Sequence, residues 1–235
     1  MMKSKHFHVK QDMTLEIDMR KHPALDFSIT VEAGKQLNLV WLGNGLPKPV
    51  QPSLRIVLKE KARMHLALAV ARTHVATAGV ALVLAGDGAE AYVSAVFHGS
   101  GEDRHAFDVA MHHQAKNTKG DILIKGVYED SSFGQFNGLL KIHPRADKTN
   151  SYFVDNVLLF GRGMATSIPT LEISANDVRA THGSTTSRVN AEQLFYLRSR
   201  GLNVGQATKH IIQGFFHPVL SRLPQNALPL FPYTI

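Results

Sequence analysis

No cysteine occurs among the 235 residues. A thiolate nucleophile, a Cys-ligated zinc site, a disulfide framework and a Cys-bound iron–sulfur cluster are therefore beyond this chain's own side chains. The absence fits a reducing compartment. Tryptophan occurs once, and 19 acids stand against 26 Lys and Arg, giving a formal net charge of +7. Long apolar runs are also missing. The most apolar region, Leu66 to Gly86, is broken by Arg72 and His74, whereas a membrane span needs about 20 predominantly apolar residues. The start, MMKSKHFHVKQDM, is basic but lacks the apolar stretch of a signal peptide. The expected location is the cytoplasm, with neither membrane nor nucleic acid as partner. No G-x-x-x-x-G-K-[ST] loop is present, and no G-x-G-x-x-G follows a strand. Any ATP-driven work would need another chain.

What is there suffices for a folded core: 44% of the residues are hydrophobic. From Thr14 to Ile142 short alternating apolar runs dominate, as in Leu15–Ile17, Phe27–Val31, Leu54–Leu58, Val80–Leu84, Tyr92–Phe97, Ile122–Val127 and Phe136–Ile142. Period-two alternation predicts half-buried strands. Turn signals separate them at Gly43–Gly45, Gly86–Gly88, Gly99–Asp103 and Asn117–Asp121. No hexapeptide or nonapeptide repeat is visible, so pattern alone does not choose between a sandwich or antiparallel barrel and the rarer parallel β-helix; propensity favours the sandwich.

The texture changes after Asn190. Asn190 suits an N-cap with Gln193 three residues on, and AEQLFYLRSR predicts a helix ending at Gly201. A second helix, capped by Asn203, carries Ala207, Ile211, Phe215 and Val219 at every fourth position, until Pro218 kinks or ends it. The expected organisation is a β body over residues 1–189, a helical segment over 190–223 and a Pro-rich tail over 224–235. From Val178 onward six basic residues (Arg179, Arg188, Arg198, Arg200, Lys209, Arg222) face one acid, Glu192, so +5 of the net charge sits in the last quarter.

Three residue groups suggest chemistry. His98, His105, His112 and His113 lie close in sequence but fit no HExxH-type spacing, and surface or core roles are expected. Asp87, Glu90, Glu102, Asp103, Glu129 and Asp130 are the pool for a paired-acid carbohydrate lyase or hydrolase, yet most sit at turns, where capping is the simpler role. Ser184, His182 and Asp177 could be drawn as a triad, but no G-x-S-x-G elbow supports it.

The most specific stretch is IPTLEISANDVRATHGSTTSRVNAEQLFYLRSRGL, Ile168 to Leu202. Ile168-Pro169, Leu171-Glu172-Ile173, Asp177-Val178, His182, Gln193 to Leu197, Ser199-Arg200-Gly201, Ala207 and Gly214-Phe215 together resemble the C-terminal signature of the SufB/SufD family of iron–sulfur cluster assembly proteins. His112 to Ile142 resembles an internal stretch of the same family.

The resemblance implies a mainly β fold, a right-handed parallel β-helix with a small C-terminal α-helical segment. It also implies a cytoplasmic, non-enzymatic subunit of a SUF-type complex. The implied partners are a SufC-like ABC ATPase and, end to end, a SufB-like subunit or a second copy of this chain. His182 matches the family histidine near the dimer junction, and Glu172 and Asp177 are oxygen donors beside it. These three are the metal or cluster candidates, for iron or an iron–sulfur cluster shared with a partner, since no cofactor is expected on this chain alone. Tyr196, Arg200 and Lys209 are the ATPase-docking candidates, with Phe195, Leu197 and Ile211 expected in the core and the helices expected to cover the last coil. The His182-Gly183 pair is D-like, whereas Thr185–Arg188 looks B-like. A subunit that only dimerises is a further alternative.

Overall fold

The computed structural model describes residues 5–22, 26–46 and 49–222. The expected tail, 224–235, lies outside the described residues. Fourteen strands precede two helices. In chain order the strands are β1 (Lys5–Val9), β2 (Met13–Asp18), β3 (Asp26–Val31), β4 (Gln36–Asn44), β5 (Ser53–Leu58), β6 (Arg63–Ala71) and β7 (Val75–Leu84). They continue as β8 (Glu90–Gly99), β9 (Arg104–His113), β10 (Lys119–Tyr128), β11 (Phe133–Ile142), β12 (Thr149–Leu159), β13 (Met164–Ile173) and β14 (Val178–Arg188), followed by α1 (Ala191–Ser199) and α2 (Val204–Leu220).

Odd strands form one seven-stranded sheet and even strands the other, every pairing being parallel. Each coil therefore contributes one strand to each sheet, and the chain is a parallel β-solenoid. The sandwich favoured by propensity is thus set aside. Alternation reveals that a strand has a buried face, but not which strand lies beside it.

Corners, more than letters, carry the repeat. At one corner Gly34, Lys61, Gly88, Asn117 and Lys148 adopt positive φ, at intervals of 27, 27, 29 and 31 residues. At the other, Gly45, Arg72, Gly101, Asp130 and Gly161 do the same, at intervals of 27, 29, 29 and 31. The first corner is laced from coil to coil: the Lys61 amide donates to the Asp87 carbonyl at 2.9 Å, Gly88 to Lys116 at 2.9 Å and Asn117 to Asp147 at 3.0 Å. A left-handed residue turns the chain sharply enough to drop into the next coil. Side chains at the second corner add further caps, with the Gly101 amide donating to the Asp130 carboxylate at 2.9 Å.

Between the sheets lies the core, built from inward rows such as Ile29, Ile56, Leu82, Met111 and Leu140 and closed by Trp41, Phe97, Phe107, Phe136 and Phe153. Outward faces differ. The even sheet carries an apolar outer stripe of Val40, Leu42, Ala67, Ala69, Val96, Leu123 and Val127, against which α2 buries Ile212, Phe216, Val219 and Leu220. That explains why β6 reads as a continuous apolar run: it is covered on both faces.

This corrects the expectation that the helices cover the last coil. The second helix lies along the flank of the solenoid, contacting β8 and β10, and β13 and β14 remain largely exposed at the end. Asn203 and Gln206 form the reciprocal capping box of α2, whereas the Asn190 side chain caps α1 through the Glu192 amide alone. Gly201, at φ +93°, ends α1 as expected. Pro218 sits in the last turn of α2, which stops two residues later.

Candidate functional site

The last coil is an open end. Register fixes which side chains point inward: Phe153 and Asp155 of β12 align with His182 and Ser184 of β14, and Phe136 and Leu140 of β11 align with Ser167 and Leu171 of β13. Since Phe153, Phe136 and Leu140 are core residues, His182, Ser184, Ser167 and Leu171 continue the inward rows. Among the described residues no further coil covers them, so His182 is exposed although it faces the inside.

Asp155 lies one coil below and is fully buried. One carboxylate oxygen accepts the Ser184 hydroxyl and the other the Ser167 hydroxyl, each at 2.7 Å. A single carboxylate thus ties the terminal strands of both sheets. Burial pushes its pKa up, while the two hydroxyls and, to a smaller extent, the neighbouring His182 pull it back. Sequence reading missed Asp155. The signal was an Asp in phase with Ser151, Phe153, Val157 and Leu159, on the apolar face of a strand.

The three metal candidates do not converge. Glu172 aligns with Lys141 on the outer face of the odd sheet, and Lys141 Nζ lies 2.5 Å from its carboxylate. That ammonium holds Glu172 below the usual carboxylate range. Among the described residues neither acid pairs with Arg179 or Arg188; Arg188 donates to the Gly161 carbonyl at 2.6 Å. Asp177 lies in the link between β13 and β14, where its carbonyl receives the Lys148 amide as the last rung of the corner ladder. Among the described residues no three His, Asp or Glu side chains are grouped to hold a metal ion.

Other groups resolve into structural roles. His105 and His113 are buried, His112 points outward, and His98 lies 2.7 Å from Glu129. Asp87 and Asp103 accept backbone amides from Lys116 and Ser100 at corners. Glu90 bridges Arg63 and Lys119. Ser184 donates to Asp155, so the sketched Ser184–His182–Asp177 triad does not form.

The helical end presents a second surface. Tyr196 and Phe195 are exposed, at 57% and 72%. This corrects the assignment of Phe195 to the core: α1 is nine residues long and buries none of them. Leu197 and Ile211 are half-buried. The Arg200 guanidinium stands 5.1 Å from the Tyr196 ring centroid. A cleft of about 700 Å³ between the helices is lined by Tyr196, Leu197, His210, Ile211 and Phe215. Lys209 is exposed on α2.

Residues 27–215 match the SufBD core domain of the SUF system for FeS cluster assembly. The chain belongs to the SufB/SufD family. Curated relatives agree. The iron–sulfur cluster assembly protein SufD of Bacillus subtilis is 37% identical over 142 residues, covering 60% of this chain and 32% of that protein. SufD of Escherichia coli is 42% identical over 107 residues, covering 45% and 25%. A SufBD family protein of Mycobacterium leprae is 28% identical over 204 residues, covering 82% and 52%. This SufBD chain thus spans a quarter to about half the length of these relatives. No helix among its described residues is long and apolar enough to cross a membrane.

Proposed function

We propose that the chain is a non-enzymatic, D-like subunit of a SUF-type iron–sulfur cluster assembly complex in the cytoplasm. The observation that carries this reading is the SufBD core match over residues 27–215. In it, the open last coil pairs with a SufB-like subunit or a second copy, and the C-terminal helices dock a SufC-like ABC ATPase. Two unpaired parallel edges, β13 and β14, support an end-to-end partner, since exposed edges recruit strands. The exposed Tyr196, Phe195 and Arg200 support the docking role, aromatic and Arg side chains being the usual anchors of interfaces.

Iron is cargo in this reading. His182 supplies one imidazole nitrogen at the open end, and neutral imidazole is a sound iron ligand. The remaining ligands, thiolates included, come from outside the chain, consistent with the lack of cysteine and of any three-ligand group among the described residues. Glu172 and Asp177 serve better as structural residues than as ligands, one paired to Lys141 and the other ending the corner ladder. The carbohydrate-enzyme alternative gains nothing, because most of its acids are engaged at corners or in ion pairs.

Co-purification with a SufC-type ATPase tests the proposal. The intact chain should retain the ATPase, and Tyr196→Ala with Arg200→Ala should weaken retention at least tenfold while leaving the fold intact. Absence of any association with the intact chain would defeat the reading.

A further inference from the structure

Asp155 is the one buried carboxylate of the described residues, and nothing in the proposed function uses it. It has no ion pair among the described residues. Among the described residues the hydrogen-bond partners of its carboxylate are the hydroxyls of Ser167 and Ser184, which belong to the two edge strands of the open coil. A carboxyl group inside a β-solenoid costs stability that an apolar residue would not. Its place in the register is informative. Asp155 follows Phe153 by two on the inward row, and His182 aligns with Phe153. Strand spacing and rise therefore put the Asp155 and His182 backbones roughly 8 Å apart, both side chains on the inner face.

We infer that Asp155 is a positioning residue for the open end: its two serine contacts hold β13 and β14 in place, and its charge favours a cation bound at His182. The inference rests on the reading of His182 as a metal ligand. Two requirements separate here. The strand tie needs two hydrogen bonds, which Asn can also make by accepting from one serine and donating to the other. The electrostatic role needs the negative charge, which Asn lacks. If the carboxylate-to-cation distance is close to that backbone separation, its unit charge changes the affinity for a divalent ion about fivefold at the dielectric constant of water and low salt.

Cobalt(II) is the probe, added to the full chain, with paramagnetic broadening of the backbone amide resonances of β13 and β14 as the readout; this registers weak binding. The wild type should show broadening around His182 that His182→Ala abolishes. Asp155→Asn should need about five times more cobalt, with hydrogen exchange in β13 and β14 unchanged. Asp155→Ser serves as the second neutral variant should the first not fold, with the same loss expected. Ser167→Ala with Ser184→Ala should speed exchange in both edge strands and alter cobalt affinity less than twofold. Wild-type affinity in a folded neutral variant overturns the inference while leaving the reading of His182 intact. An equal loss in the serine double variant also overturns it, by making the effect one of strand position alone. Cobalt binding that ignores His182→Ala, or no binding by the wild type, defeats the His182 reading and the inference with it.

Discussion

Replacing His113 by Gln should remove a measurable share of the solenoid's sensitivity to mild acid. The ring is fully buried; Nδ1 lies 2.8 Å from the Thr118 hydroxyl and Nε2 3.0 Å from that of Ser151. Burial, with a smaller contribution from His112, lowers its pKa from 6.5 to about 4. The native state therefore binds fewer protons than the unfolded chain between these values. Stability rises with pH wherever the unfolded state holds more protons, so it is lost as pH falls from 6.5 towards about 4 and levels off below. At about 1.36 kcal/mol per pKa unit, the shift is worth roughly 3 kcal/mol across that window. His105 acts in the same direction, so the difference between proteins, not the raw acid limb, carries the test. Urea unfolding near neutrality and near the lower end of the window should show the wild type losing roughly 2–3 kcal/mol more than His113→Gln. Equal losses would refute the assignment of a neutral, buried His113.

Phe216→Ala should release α2 from the even sheet, because it removes a buried ring from the stripe of Val96, Leu123 and Val127. A cost of about 3–5 kcal/mol should appear as faster hydrogen exchange in α2 with the odd-sheet strands unaffected. Gly134→Ala should destabilise by about 1–3 kcal/mol, since the new methyl would stand 2.3 Å from the buried Tyr128 ring; thermal unfolding reads it. Gly214→Ala, exposed on α2 with nothing within 4 Å of the added carbon, should instead stabilise by about 0.5–1 kcal/mol in the same assay.

The named alternating runs all lie in strands, because each presents one face to the core. Others were harder to read. In β6 the outer face is also buried, so alternation vanishes. In β13 and β14 the inward row faces an open end, so Ser167, Pro169, His182 and Ser184 stand where an interior coil would carry apolar residues. The repeat was hidden for a different reason: each corner conserves a left-handed backbone while its residue changes among Gly, Lys, Asn, Arg and Asp. The helices were legible from their caps and four-residue spacing, but not their seat on the flank. That depends on a stripe assembled from five strands far apart in sequence, Val40, Ala67, Val96, Leu123 and Leu158. Family resemblance supplied His182, Tyr196 and Arg200; Asp155 emerged only when the strand register showed which face it occupies.

Radio-iron incorporation reads participation in iron–sulfur cluster assembly inside the cell. Cells lacking the chain should load less iron into their iron–sulfur proteins. Re-expression of the wild type should restore loading, and His182→Ala should not. Unchanged incorporation in the absence of the chain, under conditions where no other assembly system operates, would mean that the chain takes no part in cluster assembly.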